Sequence, residues 1–238
     1  MMLGELDALV LAGGLGTRLR AAAPDHPKVL APVAGRPFVT WLLEYLSVQG
    51  LRRAVLCTGH AADDVERAVG PRVADLSVRF SREHDPLGTG GALRAALALT
   101  TSDPVLVLNG DSLLMADLPD FVVFHDSHAG ASASLALAEV PDTADSGRVE
   151  LDAAGRVASF AEKRRSGPGL VSAGVYLVAR SCLSAIPAGR AISLEGEVMP
   201  DWIRAGVWGW RSGGKLLDVG TPASYRRAEA FLAEVGLT

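Results

Sequence analysis

The chain has 238 residues, of which 49% are hydrophobic, 21% charged and 5% aromatic; 23 basic residues face 27 acidic ones, a formal net charge of −4. This length and apolar content suit one α/β unit and exclude disorder, and the near-balanced charge excludes a nucleic-acid partner bound through bulk positive charge. Two cysteines, Cys57 and Cys182, show no CxxC or Cys/His spacing, which excludes a disulfide framework and a zinc site and leaves buried free thiols. No stretch approaches the ~20 apolar residues that span a bilayer. The start, MMLGELDALVLAGG, lacks the basic region and cleavage pattern of a secretory signal. A cytoplasmic protein without a membrane partner is the expectation. Arginine outnumbers lysine 20 to three, so Lys28, Lys163 and Lys215 each draw notice.

In chain order, β-branched apolar runs predict strands over Ala8–Leu11, Ala54–Thr58, Val78–Phe80 and Val105–Leu108. Helix-compatible spacing falls between them, over Phe38–Gln49, Asp63–Val69 and Gly90–Leu99. Such alternation predicts an α/β fold with a mixed, mostly parallel sheet flanked by helices. Beyond about residue 130 the pattern changes. Short runs over Ser132–Glu139, Gly147–Leu151, Val157–Phe160 and Val171–Val178 are broken by Asp-Ser-Gly, Ala-Gly-Arg and Gly-Pro-Gly, which predicts a small antiparallel insertion. Ser193–Arg204 and Pro222–Glu234 read as helical, with Gly206–Arg211 and Leu216–Asp218 as strands between them. Residues 1–238 read as one domain in two halves, about 1–130 and about 131–238. No internal repeat is present, and the absence of tandem hexapeptides excludes a C-terminal β-helix.

The strongest local feature follows the first strand: Leu11-Ala-Gly-Gly-Leu-Gly-Thr-Arg-Leu-Arg20. Glycines there let the backbone approach a ligand, and successive amides can cradle phosphate oxygens. Two better-known phosphate loops do not fit. A dinucleotide fingerprint starting at Gly14 needs glycine or alanine where Leu19 stands, and a Walker A loop needs Gly-Lys-Ser/Thr where the chain has Gly16-Thr17-Arg18.

With Pro27-Lys28 the loop resembles LAGGxGTRLx…PK, the signature of the sugar-1-phosphate nucleotidylyltransferases. Four further segments match that family in the same order: Pro86-Leu-Gly-Thr-Gly-Gly-Ala92, Leu108-Asn-Gly-Asp111, Phe160-Ala-Glu-Lys163 and Asp218-Val-Gly-Thr-Pro222. The likeness spans almost the whole chain. Its PLGTGGA and Ser193-Leu194-Glu195 segments most resemble the heptose 1-phosphate guanylyltransferases. The resemblance implies a Rossmann-like fold of the nucleotide-diphospho-sugar transferase type, with residues 1–130 binding nucleotide and 131–238 binding sugar phosphate. The implied reaction is attack of a sugar 1-phosphate oxygen on the α-phosphorus of a nucleoside triphosphate, releasing pyrophosphate.

Bringing two anions together needs positioning and charge neutralisation: at ~4 Å two unit charges repel by about 4 kcal/mol even at an effective dielectric of ~20. The resemblance assigns that work to five residues. Arg18 would hold the β- and γ-phosphates through its planar fork, Lys28 the α-phosphate or leaving group, and Lys163 the sugar phosphate. Asp111 and Asp218, each ending an apolar strand run, would share a Mg²⁺ ion. Turn capping is the plain alternative for both aspartates. Lys215 and Arg20 read as surface charges, and Glu195 as a structural carboxylate.

Leu11, Ala12, Gly13, Gly14, Gly16, Thr17 and Gly110 would contact the nucleotide, with Gly88 and Thr89 against the base. Glu83 falls where thymidylyl and uridylyl relatives carry a base-reading glutamine. A carboxylate only accepts hydrogen bonds, and guanine offers two adjacent donors, so Glu83 points to GTP. On the sugar side the resemblance assigns Gly147, Glu162, Ser172, Ala173 and Gly174. Here the chain departs from relatives that carry asparagine at the position of Ser172 and an aromatic at that of Ser146. A heptose 1-phosphate leads; a hexose 1-phosphate or a cyclitol phosphate such as valienol 1-phosphate stays open. A catalytically silent nucleotide-sugar-binding subunit is a further alternative, although such proteins usually lose one of the five charged residues. A homodimer through a sheet edge or surface helix also stays open.

Overall fold

The run Asp7–Leu11 offers apolar side chains to both faces, so it cannot lie at a solvent-exposed surface. In the computed structural model, which describes residues 1–14, 16, 19, 27–128, 130–144, 147–161 and 166–238, this run is the centre of the fold. The elements of the first half are β1 (Asp7–Leu11), β2 (Pro32–Val33), β3 (Arg36–Pro37), α1 (Phe38–Val48), β4 (Arg53–Thr58), α2 (Ala62–Val69), β5 (Arg72–Val73), β6 (Leu76–Arg82), α3 (Gly88–Ala96), β7 (Val105–Asn109), β8 (Ser112–Met115) and α4 (Leu118–Asp126). The second half adds β9 (Ala133–Val140), β10 (Arg148–Leu151), β11 (Val157–Ala161), β12 (Gly169–Val178), α5 (Arg180–Ser184), α6 (Met199–Ala205), β13 (Val207–Arg211), β14 (Lys215–Asp218), α7 (Pro222–Arg226) and α8 (Ala228–Glu234).

Among the described residues, ten strands form one sheet in the order β11-β10-β12-β7-β1-β4-β6-β5, with β9 on β12 and β13 on β9. Strands β7, β1, β4 and β6 run parallel. The β12 strand is antiparallel to β7, β9 and β10. This bears out the mostly parallel sheet with an antiparallel second half. Alternation along the central strands builds two cores. Ala8, Val10, Leu106 and Leu108 face α1, α4 and α8 through Phe38, Leu42, Phe121 and Leu232. Leu9, Val105 and Val107 face α3, α5 and α6 through Leu93, Leu183 and Trp202.

Three differences from the expected elements have plain causes. The helix expected over Gly90–Leu99 begins at Gly88 and ends in a 3-10 turn at Leu97–Leu99. The single helix expected over Ser193–Arg204 is a π-helical turn, Leu194–Val198, followed by α6. Helix α4 was not expected, yet its signal is present: Asp117 caps Asp120 N–H at 3.1 Å, Pro119 follows, and Leu118, Phe121, Val122 and His125 are buried at helical spacing. Among the described residues no helix is long and apolar enough to cross a membrane.

Asp7 locks the start of β1. Its Oδ2 accepts the Thr101 and Ser102 N–H groups at 2.6 and 2.9 Å, and its Oδ1 pairs with Arg53. Burial pushes the Asp7 carboxyl up, but these donors outweigh it and hold it below its ordinary value of 3.8. Asp7→Asn is expected to cost about 1–3 kcal/mol in urea unfolding at pH 7. A depressed folded-state pKa stabilises above the unfolded value and is lost as pH falls through the folded one, so the difference between the two proteins should shrink towards pH 3.

Candidate active site

Ligands of open α/β sheets bind beyond the carboxyl ends of the parallel strands, and here those ends carry the predicted residues. After β7, Gly110 and Asp111 turn the chain into β8, which pairs with β14 so that Ser112 lies opposite Asp218. The Val219 N–H donates to the Asp111 carbonyl at 3.0 Å, fixing the two aspartates as neighbours. Lys28, in a 3-10 turn after Pro27, donates its ammonium to Asp111 Oδ2 and is largely buried. Asp218 and this ammonium face the same point over Gly220. A Cβ placed on Gly220 would lie 2.8 Å from Lys28 Nζ and 2.6 Å from Asp218 Oδ1, so both groups close over one point. Asp218 Oδ1 also accepts the Gly220 N–H. The turn-capping and ligand-facing readings of Asp218 are therefore compatible in one geometry.

The base side lies two strands away. Glu83 follows β6; its N–H donates to the Thr58 carbonyl at 2.9 Å, and its Oε2 accepts the Leu87 N–H at 2.7 Å. Its carboxyl rests over Gly13 and Gly59, where a Cβ on either would come within 2.7 Å of Oε1. Burial pushes the Glu83 carboxyl above its ordinary value, with the Leu87 N–H partly offsetting it. Cys57 is a buried free thiol, as expected, pushed up to about 12 by burial and then by the Glu83 charge.

Gly88 and Thr89 are exposed in the first turn of α3. A strap through Ile192 and Leu194 holds this turn: Ile192 N–H donates to Leu87 O at 2.8 Å, Gly90 N–H to Ile192 O at 2.8 Å, and Leu194 N–H to Thr89 Oγ1 at 2.7 Å. A Cβ at Gly88 would meet Ile192 O at 2.6 Å. Glycine at this position thus admits the strap.

On the third side, β12 changes partners along one edge. Its start pairs with β10 through Leu170 and Val171, its end pairs with β7 through Val175–Val178, and Ser172-Ala173-Gly174 falls between. The β9 register shifts across the same residues, which form a bulge. Ser172 Oγ accepts the Gly174 N–H and lies 3.2 Å from the buried Tyr176 hydroxyl. Burial and then the Glu195 charge push that phenol up. Gly174, at φ +70, abuts Asn109, where a Cβ would meet Nδ2 at 2.8 Å. Gly147 precedes Arg148, the partner of Val171.

The structure thus brings Leu11, Ala12, Gly13, Gly14, Gly16, Lys28, Glu83, Gly88, Thr89, Gly110, Asp111, Gly147, Ser172, Ala173, Gly174 and Asp218 to the ends of neighbouring strands. Thr17, Arg18, Glu162 and Lys163 lie outside the described residues. Gly59, Tyr176 and the Ile192–Leu194 strap were not expected, and Gly220 lies in the Asp218–Pro222 motif without a role having been assigned to it. A lone glycine after a strand carries no distinguishing local pattern, and the strap's contacts are long-range. A separate cleft of about 340 Å³, lined by His128, Arg156 and Trp208 among others, sits near the opposite ends of the strands, where Val207 pairs with Ala133.

The nucleotidyl transferase family model matches residues 7–235, and the chain belongs to that family. It is 32% identical over 228 residues to a D-glycero-alpha-D-manno-heptose 1-phosphate guanylyltransferase of Aneurinibacillus thermoaerophilus, covering 95% of this chain and 98% of that one. It is 36% identical over 233 residues to a mannose-1-phosphate guanylyltransferase of Mycobacterium tuberculosis, covering 96% of this chain but 65% of the longer relative. The crystal structure of HddC from Yersinia pseudotuberculosis complexed with GMP-PN superposes with a TM-score of 0.85 at 30% identity, covering 95% of this chain and 99% of that one.

Gly220→Ala should move Lys28 and Asp218 apart without demanding an unfavourable backbone. Turnover is expected to fall by ~100-fold, in line with ångström-scale misplacement of a reacting group. Steady-state kinetics beside a thermal melt check this; unchanged turnover would separate the Lys28–Asp218 approach from catalysis.

Proposed function

We propose that this chain transfers GMP from GTP to a sugar 1-phosphate, with D-glycero-α-D-manno-heptose 1-phosphate as the leading acceptor, and releases pyrophosphate. The observation that carries the guanine assignment is the Glu83 carboxylate at the end of β6. It is half-buried and fixed by the Leu87 N–H on one oxygen. Its remaining acceptor capacity suits adjacent N1–H and N2–H donors, which guanine alone among the common bases presents together. Uracil and thymine would set carbonyl oxygens against it. The heptose reading is supported by the Aneurinibacillus relative, which matches along nearly its whole length. Mannose 1-phosphate is the second reading, supported by the 36% identity to the Mycobacterium enzyme.

In the proposed reaction a phosphate oxygen of the sugar forms a bond to the α-phosphorus as the bond to the β-phosphate oxygen breaks. Lys28 places a compact positive charge beside that centre. Arg18 and Lys163 are proposed to hold the triphosphate tail and the sugar phosphate. Among the described residues no group of three or more His, Cys, Asp or Glu side chains is arranged to hold a metal. Asp111 and Asp218 nevertheless fit a Mg²⁺ ion that takes its other ligands from phosphates and water, because Asp111 already pairs with a cation, the Lys28 ammonium, and Asp218 Oδ1 faces the same point over Gly220. When bound, such an ion would draw charge off the phosphate oxygens and screen the two anions from one another. Gly147, Glu162 and Ser172–Gly174 are proposed to line the sugar.

A pyrophosphate-release screen crossing five nucleoside triphosphates with heptose, hexose and cyclitol phosphates tests the reading. The highest kcat/KM is expected with GTP and heptose 1-phosphate; absence of release with every pair would favour a silent binding subunit. Asp111→Asn is expected to lower turnover at least ~100-fold with the fold retained. Glu83→Gln should reduce the preference for GTP over UTP and dTTP by ~10-fold or more. An unchanged nucleotide profile would remove Glu83 from base reading.

A further inference from the structure

Gly59 lies outside every motif named above, yet it touches the base-reading carboxylate directly. A Cβ on Gly59 would lie 2.7 Å from Glu83 Oε1, 3.0 Å from its Cγ and 3.2 Å from its Cδ. All three nearest atoms belong to one flexible side chain. Among the other crowded glycines of the site only Gly174 likewise meets a single side chain, that of Asn109, and it lies at φ +70, where glycine is favoured by the backbone itself. At Gly13 a Cβ would also press on the Gly59 nitrogen at 3.1 Å, and at Gly88, Gly91 and Gly110 it would meet backbone carbonyls at 2.5–2.6 Å. Gly59 is also absent from the residues with positive φ, so the backbone there accepts any L-residue. Glycine at this position is required by what lies against it.

We infer that Gly59 is a specificity-determining position for the base: its missing side chain provides the space in which the Glu83 carboxylate lies when it accepts the paired donors of guanine. This rests on the proposed role of Glu83. Two other contacts limit where that side chain can go. The Glu83 N–H is tied to the carbonyl of Thr58, the residue before Gly59, and its Oε2 is tied to the Leu87 N–H. A methyl group at position 59 therefore cannot be accommodated by moving the strand end. It must rotate the carboxylate away from the Leu87 N–H and out of register with the base. Gly59 thus acts as a positioning residue that need not touch the substrate, and its effect passes entirely through Glu83.

The test compares kcat/KM for GTP and for ITP, which keeps the N1–H donor but lacks the N2 amino group. The unaltered protein is expected to favour GTP by ~10-fold or more, as for a hydrogen bond to a charged group. In Gly59→Ala this ratio should fall towards one, through a higher KM for GTP and an unchanged KM for the sugar phosphate. Added to Glu83→Gln, the same substitution should change the ratio less than about twofold, since the two act as one unit. A wild-type ratio in Gly59→Ala, with the ratio lost in Glu83→Gln, overturns the inference and leaves the Glu83 reading standing. Loss in neither variant overturns the Glu83 reading itself. Independent, additive losses place the action of Gly59 elsewhere and overturn the inference. If Gly59→Ala fails to fold, Gly59→Ala/Glu83→Ala decides: recovery of the fold supports a clash with Glu83 alone, and persistent misfolding overturns it.

Discussion

Asp111 and Asp218 approach one point from opposite strands of the β8–β14 pair, where two negative charges would repel strongly in a partly buried cleft. The Lys28 ammonium, paired with Asp111 and facing the same point over Gly220 as Asp218 Oδ1, offsets that repulsion. Lys28 also closes the far end of the glycine-rich segment, whose near end is fixed by the Ala12 N–H on the Cys57 carbonyl at 2.9 Å. The one ammonium therefore ties the 3-10 turn at Lys28 to the turn after β7, where Asp111 stands. It also imposes a conflict on the proposed chemistry. A group that neutralises a carboxylate in the resting protein is the group assigned to a phosphate in the proposed transfer, so whatever binds there must replace what Lys28 gives up.

The remaining contacts distribute the proposed substrates along the sheet edge. Glu83 follows β6, Gly59 follows β4, the glycine-rich segment follows β1, Asp111 follows β7 and Ser172 lies in β12, which is the order in which those strands neighbour one another. Four strand spacings of ~4.8 Å place about 19 Å between the ends of that row. In the proposed reading base, phosphates and sugar would receive separate strands, so that a change at one end need not disturb the other. The strap through Ile192 and Leu194 is an exception: it hydrogen-bonds the base-side turn of α3 and leads directly to Glu195, whose charge reaches Tyr176 on the sugar side.

Much of this was legible in the sequence because the determinants are local. Asp111 and Asp218 end apolar runs, so their place at strand ends follows from the runs themselves. Glu83 is placed by the family resemblance, and the proposed choice of guanine follows because a carboxylate has no donor to give. Helix α4 shows the opposite case: capping and spacing signals were both present in Asp117–His125, but the short apolar run Phe121–Phe124 competes with a strand reading. The approach of Gly59 to Glu83, and of Gly220 to Lys28, could not be found that way. What each glycine makes room for arrives from a distant part of the chain, and close approach leaves no trace in a neighbour's identity. The departure of Ser172 from the asparagine of relatives was visible, but its hydrogen bond to the Gly174 N–H follows from a bulge that only the three-stranded pairing of β12 creates.

That bulge has an evolutionary meaning. Ser172–Gly174 interrupts a strand that is hydrogen-bonded on both flanks, to β10 before the bulge and to β7 after it, with β9 alongside. The rim proposed to face the acceptor is therefore held by backbone pairing on both flanks, and the Ser172 side chain adds only its contacts with the Gly174 N–H and the neighbouring Tyr176 hydroxyl to that frame. Descendants of such a chain can acquire a new acceptor by exchanging single side chains on a fixed frame, leaving the transfer machinery after β7 untouched.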